Sequence, residues 1–459
     1  MTKHKLPDGP QNGSLLQKLK WITKPLEVLE THYQRYGDIF TAYVGLGKKP
    51  IVIISNPQAI QEVFSTDPKY LDSGEVAGIK PPFIGQQSLI ALSGDRHKRQ
   101  RKLLTPPFHG ERMLAYGKII QEITEQVTSQ WVISSSFFVR SAMQEITFQV
   151  ILKAVFGLVD GPRYQKLQQL LMTRLDGTKS LFRAILLLFP ILQKDLGPWS
   201  PWGRLMENEH QIDQLIYEEI QERRENPDPS RTDILSLMMA ARDEAGEPMT
   251  DVELRDELIT LLVAGHETTA TSLSWAFYWI HHQPQVREKL LQELDTLGEN
   301  PDPNQIFRLP YLDAVYKETL RIYPVAMMAF QRMVLSPLDI AGYHFEPGII
   351  LSLCIYLTHH REDLYPEPKK FKPERFLERQ FSSSEYLPFG GGSRRCIGMA
   401  FAQFEMKLIL VTVLSRWQLE LKDSKPMLPV RRGLLLAPPN DFQMVVKAKK
   451  TTAKAMSLT

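Results

Sequence analysis

Two short stretches of the chain combine residue types that could do chemistry. The first, Phe389 to Gly398, reads FGGGSRRCIG and contains Cys396, one of only two cysteines in 459 residues. Gly390, Gly391 and Gly392 strip the side chains from the backbone just before it, so the chain there can take unusual dihedrals and lie against something flat and bulky. Gly398 does the same just after it. If the apolar-periodic run AFAQFEMKLILVTVL that follows is a helix, Cys396 sits near its N-terminal end. Free backbone N–H groups there favour a thiolate over a thiol, and Arg394 and Arg395 add positive charge. A thiolate so placed can hold a metal. Taken alone, Cys396 also reads as a small hydrophobe in a tight turn. That reading leaves the glycines and arginines unexplained.

The second stretch, AGHETTA at 264–270, sets polar groups inside the apolar run LITLLVAG. Thr268 can bond back to the carbonyl of Ala264, and Gly265 weakens a helix, so a kink or widened groove is expected. Glu267 beside Thr268 in such a groove suits proton delivery; the plain alternative is a polar stripe facing solvent.

The elements that must position these groups are legible around them. Thr250 and Glu253 have capping-box spacing and Pro284 is a stop, which predicts one helix from Thr250 to His282, about 48 Å long, with AGHETTA at its middle. Gly94 to Phe108 packs six basic or imidazole groups into Arg96–Lys102, with His97 and Arg101 on one helix face. By itself this is a solvated basic helix or a nucleic-acid patch. Residues 36–55 read as a β-hairpin, Asn56-Pro57 as the cap and first turn of a helix, and LDIAGYHFEPGIILSL as another hairpin. Tyr70 to Leu92 has no sustained period and reads as a long loop, which in a compact domain implies a function. Residues 113–235 are largely helical in pattern. The run AILLLFPIL at 184–192 is too short to span a bilayer; it reads as a buried core helix or as a channel rim touching membrane or oily substrate.

Composition narrows the class. Hydrophobic content of 43% and charged content of 23% are those of a globular protein with a large core. Cys354 and Cys396 alone exclude a disulfide framework and a Cys-rich zinc site, and imply a reducing compartment. A net charge of +3 is too small to imply nucleic-acid binding. The start, MTKHKLPDGP, carries no apolar run that could be a signal peptide or transmembrane anchor, so a cytoplasmic protein is expected.

The cysteine loop resembles the haem-ligand signature of the cytochrome P450 superfamily, Phe-x-x-Gly-x-Arg-x-Cys-x-Gly, in Phe389, Gly392, Arg394, Cys396 and Gly398. From typical residue frequencies a chance match is on the order of 10⁻⁴. AGHETTA is similar to the family's oxygen-activating motif, Ala/Gly-Gly-x-Asp/Glu-Thr. Glu318 and Arg321, on their own an everyday surface ion pair, resemble its Glu-x-x-Arg motif, whose partner arginine comes from the segment Pro373-Glu374-Arg375-Phe376. The resemblance covers nearly the whole chain. It implies a single P450 domain over 1–459, mainly α with small β-sheets, β-rich within about 30–92, with no fused reductase. Its shape would be a triangular prism holding haem b between the long central helix and the cysteine helix.

By the same resemblance Cys396 is the axial metal ligand, and Ala264, Gly265, Phe389, Gly390 and Gly398 lie around the haem. His97, Arg101, Arg332 and Arg394 meet its propionates; many relatives carry tryptophan where His97 stands, though many bacterial members have histidine. Glu267 and Thr268 are the catalytic relay, and Glu318, Arg321 and Arg375 a buried structural network. Phe83, Ile84 and Leu89 in the roof loop, Leu262 and Val263 on the long helix, Ala326 and Met328, and Leu434 and Leu435 are the implied substrate contacts.

The implied activity is a haem-thiolate monooxygenase that uses O2 to hydroxylate a hydrophobic substrate. The lead substrate is a long-chain fatty acid, with terpenoids, steroids and flavonoids as alternatives. A peroxygenase or a non-catalytic haem sensor are rivals, and both have less need of the Glu267-Thr268 pair. After the cysteine helix only about forty residues remain, too few for a flavin or ferredoxin domain. A separate ferredoxin and ferredoxin reductase drawing on NAD(P)H are therefore implied, docking at Arg99, Lys102, Arg395 and Lys407.

Overall fold

The computed structural model describes residues 6–10, 20–43, 50–74, 84–108, 112–157, 161–177, 193–298 and 301–450. Phe83 and the apolar run 184–192 lie outside the described residues.

The chain is organised on one long helix, Asp251–His282. It starts where the sequence says it must: the Thr250 hydroxyl accepts from Glu253 N–H while the Glu253 carboxylate reaches back to Thr250 N–H, and Pro284 begins a new helix beyond its end. Nearly every side chain outside AGHETTA is buried, including Trp275, Phe277 and Tyr278, so this helix runs through the core rather than over it. The helix Val139–Phe156 packs most closely along it, and Arg112–Thr128, Pro310–Ile322 and Met399–Arg416 complete the helical body. Their apolar faces form one continuous cluster from Leu89 to Val446.

A five-stranded sheet stands beside that body, in the order Ile39–Ala42, Ile51–Ile54, Ile350–Leu353, Arg332–Val334, Leu71–Asp72. The first two strands form the expected hairpin, with Ile39 opposite Ile54. Ile51–Ile54 then pairs in parallel with Ile350–Leu353, a contact across some three hundred residues that no local signal announces. Asn56 caps the next helix, Pro57–Ser65, by accepting from Ala59 N–H at 3.0 Å. Leu338–Ile340 and Tyr343–Phe345 make the second expected hairpin. A third pairs Val430–Arg432 with Leu435–Ala437, through Gly433 at φ 58°.

Candidate functional site

The cysteine loop is held from behind by protein. Cys396 N–H donates to Phe389 O at 2.9 Å and Gly390 N–H to Leu387 O at 3.0 Å, closing the loop on itself. Gly390 and Gly392 have φ of 65° and 60°, the left-handed region that glycine alone enters without strain. Gly391 is extended, and its lack of a side chain is used differently: a Cβ there would come closer than 3.0 Å to the ring of Phe64. The flat, bulky group against this part of the loop is therefore the Phe64 ring. A Cβ on Gly398, by contrast, would meet nothing within 4 Å. Met399 opens the following helix, so Cys396 lies three residues before its first turn.

The two cysteines are sharply different. Cys354 is fully buried in the core, and burial pushes its thiol up to about 12. Cys396 is exposed, yet burial by the surrounding protein mass raises its thiol above the ordinary value, opposed by Gly398 N–H, Arg101 and Arg395. An accessible sulfur with that much protein around it sits at the bottom of a recess.

Four basic groups from three elements stand close together beside that recess. His97 and Arg101 come from the helix Gly94–Leu104, Arg332 from the sheet and Arg394 from the cysteine loop. His97 is buried, and burial together with Arg394, Arg101 and Arg332 pushes its imidazole down to about 3. Burial, with Arg394 adding to it, lowers Arg332 to about 10; burial lowers Arg394 to about 10, with Arg101 adding to it and Asp72 opposing. Among the described residues none of the four forms a direct ion pair with a carboxylate. Their donors are partly used by backbone: Arg332 Nη1 donates to Phe330 O at 2.6 Å, and Arg394 donates to Leu89 O and Leu92 O at 3.1 and 2.5 Å. Three mutually repelling arginines and a neutral imidazole beside a recessed thiol fit a flat, dianionic, metal-bearing cofactor. The residues present thus fit haem.

On the long helix Thr268 Oγ1 donates to Ala264 O at 2.6 Å, as its sequence position predicts, although the helix stays continuous through the motif. Val263 and Ala264 are exposed and Thr268 half-buried, so this face is open. Leu262 is 4% exposed and belongs to the helical core cluster. Glu267 is gripped from the neighbouring helix, its carboxylate ion-paired to Arg140 and accepting from Gln144 Nε2 at 2.5 Å. No hydrogen bond joins Glu267 to Thr268 among the described residues.

Of the other implied substrate contacts, Ala326 and Leu435 are brought together by an isolated β-bridge. Leu434 beside them is exposed and Met328 half-buried. Ile84 and Leu89 are buried at the start of the segment that Arg394 holds. The Glu-x-x-Arg set is assembled in full. Arg321 makes a two-pronged pair with Glu318 at 2.6 and 2.8 Å, Arg375 Nε reaches Glu318 at 3.2 Å, and the Tyr365 ring lies beside both guanidinium groups. Arg321 also donates to the carbonyls of His359 and Pro368 at 2.8 Å. This is a buried ion cluster pinning Pro310–Ile322 to the chain before the cysteine loop.

Two expected docking residues are corrected. Lys407 is 1% exposed, with Nζ 2.7 Å from Asp313 and 2.8 Å from Phe307 O, because the cysteine helix is buried on nearly every side. Arg99 is committed to Asp243 and Glu253 at 2.6 and 2.8 Å. Lys102 and Arg395 remain exposed.

Fold and site define a cytochrome P450, and the family model for cytochrome P450 matches residues 7–446; the chain belongs to that family. It is a P450 monooxygenase with haem b as cofactor. The chain is 35% identical over 468 residues to the protein named cytochrome P450 135B1 of Mycobacterium tuberculosis, covering 99% of this chain and 94% of that one. The mycobacterial protein named cytochrome P450 138 is 32% identical over 97% of each chain. Among solved structures, a cyanobacterial CYP120A1 bound to retinoic acid superposes with TM-score 0.80 at 25% identity, over 97% of this chain and all of that one. CYP102L1 shares the fold with TM-score 0.78 at 22% identity, over 98% of this chain. Among the described residues no helix is long and apolar enough to cross a membrane.

Proposed function

We propose that the chain hydroxylates a long apolar carboxylic acid, a long-chain fatty acid first, with electrons from a separate ferredoxin and ferredoxin reductase fed by NAD(P)H. What supports the reading is an accessible Cys396 set within surrounding protein, four basic groups that form no direct ion pair with a carboxylate among the described residues, and the open Val263–Ala264 surface of the long helix. Cys396 Sγ would hold the haem iron, and His97, Arg101, Arg332 and Arg394 its propionates. When bound, haem supplies the O2-activating chemistry. The chain's own part is to move protons: Thr268 Oγ1 turns from Ala264 O toward the recess and gives up its proton there, and Glu267, on leaving Arg140 and Gln144, takes a proton from solvent and passes it on to Thr268. Such a relay favours a monooxygenase over a peroxygenase or a haem sensor. The apolar residues Val263, Ala326, Met328, Leu434 and Leu435 suit a long hydrocarbon, and retinoic acid, bound by the cyanobacterial neighbour, is itself a long apolar acid.

The test is a substrate screen by the low-to-high-spin shift of the haem Soret band. Palmitic acid should give the shift; a terpenoid, steroid or flavonoid giving it instead, with no fatty acid doing so, would remove the substrate reading. Thr268→Ala should divert reducing equivalents to peroxide, lowering product formed per NAD(P)H consumed at least several-fold. Unchanged coupling would refute the relay.

A further inference from the structure

Two carboxylates of the long helix, Asp256 and Glu257, lie about two turns before AGHETTA and are engaged by the segment 85–92. Asp256 Oδ2 accepts from Gln87 N–H at 2.9 Å, and Gly85 leaves room for that carboxylate where any Cβ would collide with it. Glu257 Oε1 accepts from Leu89 N–H at 2.6 Å and from Gln100 Nε2 at 3.1 Å. Thr260 Oγ1 and Ser88 Oγ lie 2.7 Å apart. Leu89 is therefore bonded on both sides, its N–H to Glu257 and its carbonyl to Arg394 of the cysteine loop. Through Gln100, Glu257 also touches the helix that carries His97 and Arg101. A single buried carboxyl thus joins the long helix, the segment 85–92 and, through Gln100 and Leu89, two of the three elements that carry the basic cluster.

The charges facing Glu257 are mostly of its own sign. On its own helix stand Glu253 and Asp256, and the adjacent Arg255 is paired with Asp213 and Asp256. From the basic helix come Gln100, Arg99 already held by Asp243 and Glu253, and His97 kept neutral; from the segment 85–92 come backbone and Ser88. Among the described residues no cation forms an ion pair with Glu257. Burial, with Asp256 and Glu253 adding to it and the Gln100 and Leu89 bonds opposing, pushes its carboxyl up to about 8. A neutral acid suits the geometry, because one oxygen takes both N–H donors and the other is left to carry the proton.

We propose that Glu257 is the positioning residue that seats the segment 85–92 between the long helix and the cysteine loop, and that it does so as a neutral acid whose ionisation releases the segment. The sign follows from linkage. The seated state binds the proton more tightly than an opened state in which Glu257 meets water. Seating is therefore favoured at low pH, weakens as pH rises from the ordinary glutamate range, and levels off above about 8. Between pH 6 and 7 the protection of the segment should fall about tenfold, since one proton is exchanged per opening.

The experiment is amide hydrogen exchange of peptides covering 85–92 in the holoenzyme from pH 6 to 9, each corrected for its intrinsic rate. Wild type should lose protection by about tenfold per unit to near pH 8 and then level. Glu257→Gln keeps an acceptor for Leu89 and carries no charge, so its protection should stay flat across the range. Wild-type protection that does not change with pH would overturn the proposal, as would a Glu257→Gln curve falling in parallel. The wild-type series decides the matter even if the variant accumulates poorly. The proposal's effect on the site rests on the haem reading, whose failure would show separately as a missing Soret band, with the exchange result still standing.

Discussion

Replacing Gly391 by alanine separates two reasons a loop can need glycine. The backbone at Gly391 is extended, with φ −166° and ψ −177°, so alanine fits its dihedrals without strain. What alanine meets is the Phe64 ring, with three ring atoms closer than 3.0 Å to the new Cβ, where ordinary contact is 3.4–4 Å. Phe64 belongs to the helix Pro57–Ser65, whose Ile60 and Val63 are buried in the sheet-side core, and its own half-buried ring packs against that core. Overpacking of this kind costs roughly 1–3 kcal/mol, and a collision with several ring atoms belongs at the upper end, about a hundredfold in the folding equilibrium. Gly390→Ala has a different cause. Its φ is 65° and its nearest side-chain neighbour is Ala329 Cβ at 3.9 Å, so its cost is the left-handed penalty of about 1–2 kcal/mol. Adding Phe64→Leu should therefore recover most of the Gly391→Ala loss and none of the Gly390→Ala loss. Urea midpoints read by circular dichroism, with the Soret band tracking haem retention, complete both double-mutant cycles. A Gly391→Ala midpoint equal to wild type, or a coupling to Phe64 indistinguishable from zero, would refute the packing explanation.

Glu318→Gln should be far costlier than an i,i+3 pair on a surface, about 3–5 kcal/mol, because it leaves Arg321 and Arg375 as buried charges without an anion; a urea-derived loss below about 1 kcal/mol would show that the backbone carbonyls suffice. Lys407→Met should leave the salt dependence of reduction by a ferredoxin unchanged, since the side chain does not reach the surface and Asp313 keeps Lys317 at 2.6 Å. Lys102→Glu and Arg395→Glu should each flatten that dependence; the reverse pattern would restore Lys407 to the docking face.

What the sequence made legible is what chain neighbours decide. The Thr250 box, the Asn56 cap, the hairpins and the Thr268 back-bond each lie within a few residues of their partners. The Glu318 and Arg321 pair was readable for the same reason, and Arg375 joined it only through the family pattern. The grip on Glu267 by Arg140 and Gln144 spans more than 120 residues and has no local signature, and the same holds for the bonds from Asp256 and Glu257 to the roof segment. Lys407 was misplaced although a signal existed. AFAQFEMKLILVTVL is apolar nearly all round, a helix of that kind is buried, and a lysine on it must then find a buried partner. The glycines before Cys396 could not reveal their partner, because a missing side chain says that something is close without saying what.

The helix Val139–Phe156 shows how such long-range contacts bear on the relay. Arg140 and Gln144 hold Glu267, Thr147 Oγ1 lies 3.0 Å from His266 Nδ1, and Ile151 Cδ1 lies 3.2 Å from where a Gly265 Cβ would stand. Spacings of four, three and four residues put all four side chains on one helical face. That face meets Glu267, His266 and Gly265 in reverse chain order. A side chain at Gly265 would crowd the Ile151 tip, so the close packing of the two helices there and the Arg140–Glu267 pair belong to one interface. Widening the helix pair at Gly265 would loosen the anion's only ion-pair partner among the described residues, Arg140. The resting position of the relay acid is consequently tied to the close packing of the neighbouring helix Val139–Phe156.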